Sequence, residues 1–169
     1  INRSHWNKSS DIVINTLEDG AAYSDTMNKH FQDARKPGTN LSLSYAGYEG
    51  LKNVGYTIIT SDTLRKNIVE LFELKHKTLL EEMEYFESFQ PDRQASIDKL
   101  FSYEHTKFDP KDPFNVPIYP NNYSALLMDT IYLPMIKSVT VQRNVISVML
   151  YDNISETQRI ISLIENELN

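Results

Sequence analysis

The chain contains no cysteine, only five glycines, and no apolar run long enough to cross a membrane. Without cysteine there are no disulfides, thiolate metal sites, iron–sulfur clusters or cysteine nucleophiles, and the redox compartment stays open. With so little glycine there is no phosphate-binding loop and no Gly-x-Gly-x-x-Gly fingerprint. The longest apolar runs, such as Ile131 to Ile136, are about a third of the ~18 residues a span needs and contain Pro134. An initiating Met, a basic n-region and a signal-peptide apolar region are also missing. The opening at Ile1 therefore reads as an excised domain or a processed product. Positive charge is scarce too: 17 basic residues face 23 acidic ones, for a net charge of −6. With no Lys/Arg block, a general nucleic-acid binder is not expected.

What is present is the composition of a folded globule: 169 residues, 40% apolar, 11% aromatic and 24% charged. That length suits one domain, 1–169, able to bury roughly 70% of its unfolded surface. The spacing predicts a first helix from about Ser10 to Arg35, capped by the Ser9-Ser10-Asp11 signal, weakened at Gly20, and closed by Lys36-Pro37-Gly38. Thr39 to Ser44 alternates like a strand, but no convincing partner strand exists elsewhere, so it reads as a loop entering a helix. Tyr45 to Val54 forms that helix and Gly55 ends it. After the apolar connection Tyr56 to Thr60, Ser61-Asp62 supplies an N-cap.

From Thr63 onward Leu64, Ile68, Leu71 or Phe72, Leu74, Leu79, Met83 and Phe86 form an apolar stripe of helical period. Pro91 interrupts it, and a further helix is expected from about Asp92 to Tyr103. Thr106 to Asn122 carries Pro110, Pro113, Pro117 and Pro120 and reads as a long extended loop. A short helix from Tyr123 to about Thr130 follows, with Asn121 or Asn122 as cap. The last helix runs from about Ile131 to Leu168, with Pro134 in its first turn. Ile136, Val139, Ile146, Leu150, Ile154, Ile161, Ile164 and Leu168 follow its 3-and-4 rhythm, with Arg143 and Thr157 at intervening seam positions. At 1.5 Å per residue this helix is ~55 Å long. The expected fold is all-α: an elongated antiparallel helical bundle with two long helices, shorter helices and a Pro-rich loop.

Chemistry is harder to find. Glu73-Leu-Lys-His76 is a single copy of the Glu-x-x-His element that di-iron bundles need twice, so it reads as part of a solvated helix face. Gly47 and Gly50 lack the strand and the Lys-Ser/Thr of a phosphate loop, which leaves close helix packing as their expected role. Glu81, Glu82, Glu84 and Glu87 read as solvated charge. Tyr119, Tyr123 and Tyr132 flank the Pro-rich loop, either as amphipathic rings of a pocket or as seals of the loop against the bundle. No catalytic, cofactor-binding or metal residue is named, and an enzyme is not expected.

Three segments carry a resemblance: Tyr23-Ser-Asp-Thr-Met-Asn-Lys-His-Phe31, Ala46-Gly-Tyr-Glu-Gly-Leu-Lys-Asn-Val-Gly55 and Ile59-Thr-Ser-Asp-Thr-Leu-Arg65, with the closing Ile154 to Leu168 segment similar as well. Together they resemble a bacterial membrane-anchored family of unknown function. The resemblance implies one N-terminal transmembrane helix before Ile1 and an extracytoplasmic, periplasmic helical domain. Trp6-Asn7 matches the Trp-Asn pair that often follows the family's membrane helix, and Trp suits a membrane interface. It implies no activity. The functional expectation is an interaction or ligand-sensing domain whose partner is a protein or a small ligand. A soluble oligomeric scaffold, a homo-oligomer, is the alternative. Independently of any family, Tyr48, Leu51, Gly55, Ser61, Leu64 and Arg65 read as a helix–turn–helix corner.

Overall fold

The helical rhythm of the sequence is realised over most of the chain. In the computed structural model, which describes residues 3–38, 41–111 and 115–168, the protein is 74% helical with one small two-stranded sheet. The fold class is all-α, with two long helical runs. Thr39, Asn40 and the Asp112-Pro113-Phe114 part of the Pro-rich loop lie outside the described residues, as do Ile1 and Asn2. The elements are α1 (Arg3–Glu18), α2 (Met27–Ala34), α3 (Ala46–Val54), α4 (Asp62–Glu70), α5 (His76–Ser88), α6 (Gln90–Leu100), β1 (Phe101–Tyr103), β2 (Ile118–Pro120), α7 (Tyr123–Met128) and α8 (Tyr132–Leu168). The chain divides into two compact units, Ile1–Gly38 with Phe86–Asn144, and Thr39–Tyr85 with Val145–Asn169.

In the first unit, the helix expected from Ser10 to Arg35 is two helices. Gly20 adopts φ 59°, and the amides of Gly20 and Ala21 return to the carbonyls of Leu17 (3.3 Å) and Thr16 (3.0 Å). That is a Schellman termination, which needs a left-handed residue just past the helix and takes Gly there without a Cβ penalty. The two resulting helices pack on each other. Val13, Leu17, Met27, Phe31 and Ala34 join Ile97, Phe101, Ile118, Leu126, Tyr132 and Ile136 in one core. Its centre is an aromatic triangle, with Phe31–Phe101 centroids at 5.1 Å, Phe101–Tyr132 at 5.0 Å and Phe31–Tyr132 at 6.3 Å.

The helix expected to reach Tyr103 stops at Leu100. Phe101 to Tyr103 instead pair antiparallel with Ile118 to Pro120, with Ser102 opposite Tyr119. The ribbon continues through Glu104 N–H to Pro117 O (2.8 Å) and Asn121 N–H to Leu100 O (2.9 Å). It buries Phe101 and Ile118, two residues a helical continuation would not bring together. Neither of these two strands is expected from the sequence: one replaces the end of a helix and the other lies inside the Pro-rich loop, while the described part of the Thr39 to Ser44 segment is loop, as expected. Pro120 sits at a strand end, where its missing N–H is tolerated. Asn122 then caps α7, its Oδ1 accepting from Ala125 N–H at 3.0 Å. Asp129 Oδ1 accepts from the amides of Ile131 (2.9 Å) and Tyr132 (2.7 Å), satisfying donors left open where α8 begins.

In the second unit the corner read from the sequence is present. Gly55 takes φ 99° after α3 and Ser61 Oγ accepts from Leu64 N–H at 3.2 Å. Tyr48, Leu64, Ile68, Leu71 and Ile160 form the core. Gly47 and Gly50, however, pack against nothing: no atom lies within 4 Å of where either Cβ would stand. Between α4 and α5 the helix opens into a single π-turn over Leu71–Lys75, with His76 N–H bonded to Leu71 O, five residues back. One extra residue in that turn rotates everything beyond it by about 100°. Leu74, expected on the apolar stripe, is thereby 58% exposed, while His76, expected on a solvated face, is 8% exposed and lines up with Leu79 and Met83. Within this unit Glu167 Oε1 accepts from Thr60 N–H (2.6 Å), Thr60 Oγ1 (2.6 Å) and Ser61 N–H (3.1 Å), tying the end of α8 to the start of α4.

Candidate functional site

Ion pairing sets apart two half-buried arginines of the first unit. Arg65 and Arg159 each hold the carboxylate three residues before them, Asp62 and Glu156. Arg35 and Arg93 hold no carboxylate among the described residues, and both line one cleft with Gln90, Gln94, Ile97, Met135 and Val139. Arg35 follows α2, Arg93 and the glutamines lie on α6, and Met135 and Val139 lie on α8. The enclosed part has room for about one water-sized group.

Each guanidinium is positioned by its apolar face and by neutral acceptors. Arg93 stacks over Phe86, 4.3 Å from the ring centroid, and its Nη2 donates to Phe86 O (2.9 Å) and Gln90 Oε1 (3.3 Å). Its Nε is sealed from solvent with no acceptor. Burial pulls the Arg93 pKa down, opposed by the charge of Glu87. Arg35 Nε donates to Gln32 Oε1 (2.9 Å), and Nη1 reaches Gln94 Oε1 at 3.4 Å, with the ring of Tyr103 5.5 Å away. Gln94 Nε2 in turn donates to Asp98 Oδ1 (2.6 Å) and to Tyr103 OH (2.9 Å). Cation–π contact and neutral hydrogen bonds fix an arginine's direction without cancelling its charge.

Behind the cleft lies a polar core. Arg143 is fully buried; its Nη2 donates to Ser10 Oγ (2.5 Å) and Ala34 O (3.2 Å), and its Nε to Val139 O (3.4 Å). Burial pulls its pKa down to about 10, against the fields of Asp11 and Asp33. Asp33, itself buried, accepts from Lys36 Nζ (2.9 Å) and pairs with His5 Nε2 (2.9 Å). Lys36 also donates to Asn115 Oδ1 (2.8 Å) and its ammonium sits 5.8 Å over the ring of Trp6. His30 Nδ1 lies 3.2 Å from Ser9 Oγ. The serine and the aspartate thus meet different histidines, so these pairs do not assemble a Ser–His–Asp relay.

The second unit holds an aromatic cluster. Tyr48 stacks on Phe72 at 4.4 Å and 2°, and His76 meets the edges of Phe72 (4.9 Å) and Tyr45 (6.0 Å). Tyr56 OH donates to Tyr48 OH (2.9 Å), which donates to Glu73 Oε1 (2.8 Å), holding the Glu73 carboxyl below its usual range with help from Lys52. His76 Nδ1 is buried without a partner and burial pushes its pKa down. Glu73 and His76 therefore do not form a ligand pair: Glu73 faces Tyr48 and Lys52. No group of three or more metal-ligating side chains occurs among the described residues.

The tyrosines flanking the Pro-rich loop do not converge. Tyr132 is in the core with its hydroxyl unpartnered, Tyr123 stacks on Tyr23 at 5.3 Å and donates to Ala21 O (2.8 Å), and Tyr119 is partly exposed. Sequence reasoning missed the arginine cleft, although a signal was there. Arg35, Arg93 and Arg143 have no acidic residue three or four positions away, whereas Arg65 and Arg159 do. No family model, curated protein or solved structure matches the chain.

Proposed function

We propose that this chain is the extracytoplasmic, periplasmic domain of a bacterial membrane-anchored protein, with a ligand-sensing or interaction role and no catalytic chemistry of its own. The observation that carries the sensing role is the pair of arginines, Arg35 and Arg93, lining one cleft with no carboxylate to neutralise either. In a chain of net charge −6, carboxylates are plentiful, so two cations left without one in a partly apolar cleft are available to an incoming ligand. No helix among the described residues is long and apolar enough to cross a membrane; the proposed anchor is placed before Ile1 by the resemblance alone. Support for it is the resemblance carried by the Tyr48 and Ser61 segments and by Trp6-Asn7. Reading the coding sequence upstream for ~20 apolar residues tests it, and their absence overturns the anchor.

Native mass spectrometry of the gently purified chain tests the sensing role. A reproducible small adduct on a monomer supports it. A bare monomer whose melting temperature is unmoved by a small-molecule library overturns it, because a ligand that binds the native state must raise stability. A second reading is an oligomeric scaffold. It is favoured by Val148 and Tyr151 on α8, 69% and 75% exposed in a stretch, 144–151, that carries no charge. A second copy of the chain meets no like charge there, and a clean dimer without adduct would support this reading.

A further inference from the structure

We infer that a second copy of the chain docks antiparallel on the part of α8 that lies in the second unit, along a seam from Tyr151 to Leu168; the inference rests on the self-association reading and names its surface. Ile154, Ile161 and Leu168 stand seven positions apart, and Tyr151, Gln158 and Glu165 interleave them at the same interval. Steps that alternate three and four residues repeat every 3.5, the pattern of a helix that meets another helix along one line. The core of the unit does not use that line. Ile160 and Leu163 face the core, whereas Tyr151, Ile154, Ile161 and Leu168 are 75, 45, 49 and 81% exposed. Scattered exposed apolar residues need no explanation, but a heptad series on one face does.

The rim of the seam is short and neutral. Ser155, Thr157, Ser162 and Ile164 occupy the positions beside it, and none carries a charge. Thr157 Oγ1 donates to Asn153 O (2.8 Å) and Ser162 Oγ to Gln158 O (3.2 Å), so docking strips neither hydroxyl of its partner. Helices that select a different partner do so through charges at these flanking positions, and a neutral rim suits a copy of itself. Gln158 argues the same way. Its amide both donates and accepts, so a second Gln158 satisfies it, while an apolar helix of another protein leaves it unpaired. Glu165 sets the direction. A parallel pair would press it against its own twin in a chain of net charge −6. An antiparallel pair centred between Arg159 and Ile160 sets Tyr151 opposite Leu168, Ile154 opposite Glu165 and Gln158 opposite Ile161. The two Glu165 carboxylates then stand about 16 Å apart along the axis, beyond a screening length of about 8–10 Å. The two Gln158 amides are offset by only about 4.5 Å, within reach of each other. A seam of ~27 Å suits a reversible dimer and not a permanent one.

Sedimentation equilibrium of the full chain, from micromolar to millimolar concentration, should show monomer and dimer in exchange. Ile154→Lys and Ile161→Lys should each raise the dissociation constant by about tenfold or more. Both positions are exposed, so circular dichroism should show each variant folded. Val54→Lys, at an exposed apolar site of the same unit off the seam, should leave the equilibrium unchanged. Disulfide trapping reads the direction, since no native thiol competes. Tyr151→Cys mixed with Leu168→Cys should cross-link, and Leu168→Cys alone should not. A monomer at every concentration overturns both the inference and the self-association reading. A dimer that survives both seam substitutions, or that Val54→Lys weakens equally, overturns the seam and leaves self-association standing. Leu168→Cys that cross-links to itself faster than to Tyr151→Cys overturns the antiparallel docking.

Discussion

The two units solve the same packing problem in opposite ways. The first buries polar and charged side chains: Arg143, Asp33, Gln32, Ser9 and Ser10 are all buried inside a network of side-chain and carbonyl partners. The second buries almost no charge and bends the backbone instead, opening a π-turn that brings His76 into an aromatic cluster. A buried guanidinium is costly to desolvate and strongly destabilising to leave half-paired, so the first unit's network is a constraint on register as much as a source of stability. A π-turn costs regular hydrogen bonding, and the stacked Tyr48–Phe72 pair with its edge-on neighbours offsets it. Sensitivity should therefore sit in side-chain chemistry in one unit and in helix phase in the other.

The largest break should come from Arg143→Met. It strips Ser10 Oγ and Ala34 O of their donor and removes the cation whose field Asp11 and Asp33 share, for a cost of about 2–4 kcal/mol. In hydrogen exchange, amides of α1 and α2 should lose protection first. If loss begins instead in α3 and α4, the contrast between the units is wrong. Next comes Gly20→Ala, which forces a Cβ into the left-handed region at φ 59° and should cost about 1–2 kcal/mol in urea unfolding. An unchanged midpoint would mean that the Schellman turn is not what separates the two helices.

A smaller effect, and one that sharpens the contrast, is expected from His76→Leu. His76 has a folded-state pKa below its ordinary 6.5 because burial disfavours the cation. Below pH 6.5 the unfolded chain takes up a proton that the folded one refuses, so stability is full above pH 6.5 and falls as pH drops toward the folded pKa. The variant should lose that acid slope, and by removing an unpartnered buried nitrogen it should gain about 1 kcal/mol at pH 7. Denaturant midpoints between pH 5 and 8 would decide, and an unaltered slope would assign the acid sensitivity to another group. The smallest change is Gly50→Ala on the open face of α3. With nothing within 4 Å of its Cβ it should stabilise the second unit by about 0.5–1 kcal/mol, seen as a higher thermal midpoint.

Much of this architecture was legible in the sequence where the signals are local. Ser61, Gly55 and Asn122 mark helix ends through their own backbone or side-chain geometry, and each lies where a cap is needed. Pro134 likewise falls in the first turn of α8. What escaped is non-local or a matter of phase. The three-residue strands pair across a proline-rich loop, and nothing within either strand announces its partner. The π-turn hides because one inserted residue leaves an apolar stripe that still looks periodic, placing Leu74 on it and His76 off it. Gly20 looked like a weak point in one helix because the left-handed turn it makes leaves no mark on hydrophobic spacing. The cleft joins Arg35 to Arg93, 58 positions away, and only the missing acidic neighbours of each hinted at it.

Trp6 is the one tryptophan of the chain, and it lies in the first unit beneath the Lys36 ammonium. Lys36 is bonded to Asp33 and Asn115 and is the next residue after Arg35. The molecule thus carries a built-in optical probe: indole emission reports on the charged core and on the neighbourhood of the arginine cleft, while the second unit, lit only by tyrosine, stays dark at wavelengths that excite indole alone. Melting followed by tryptophan fluorescence and melting followed by circular dichroism will therefore separate wherever the two units come apart independently, with no label attached.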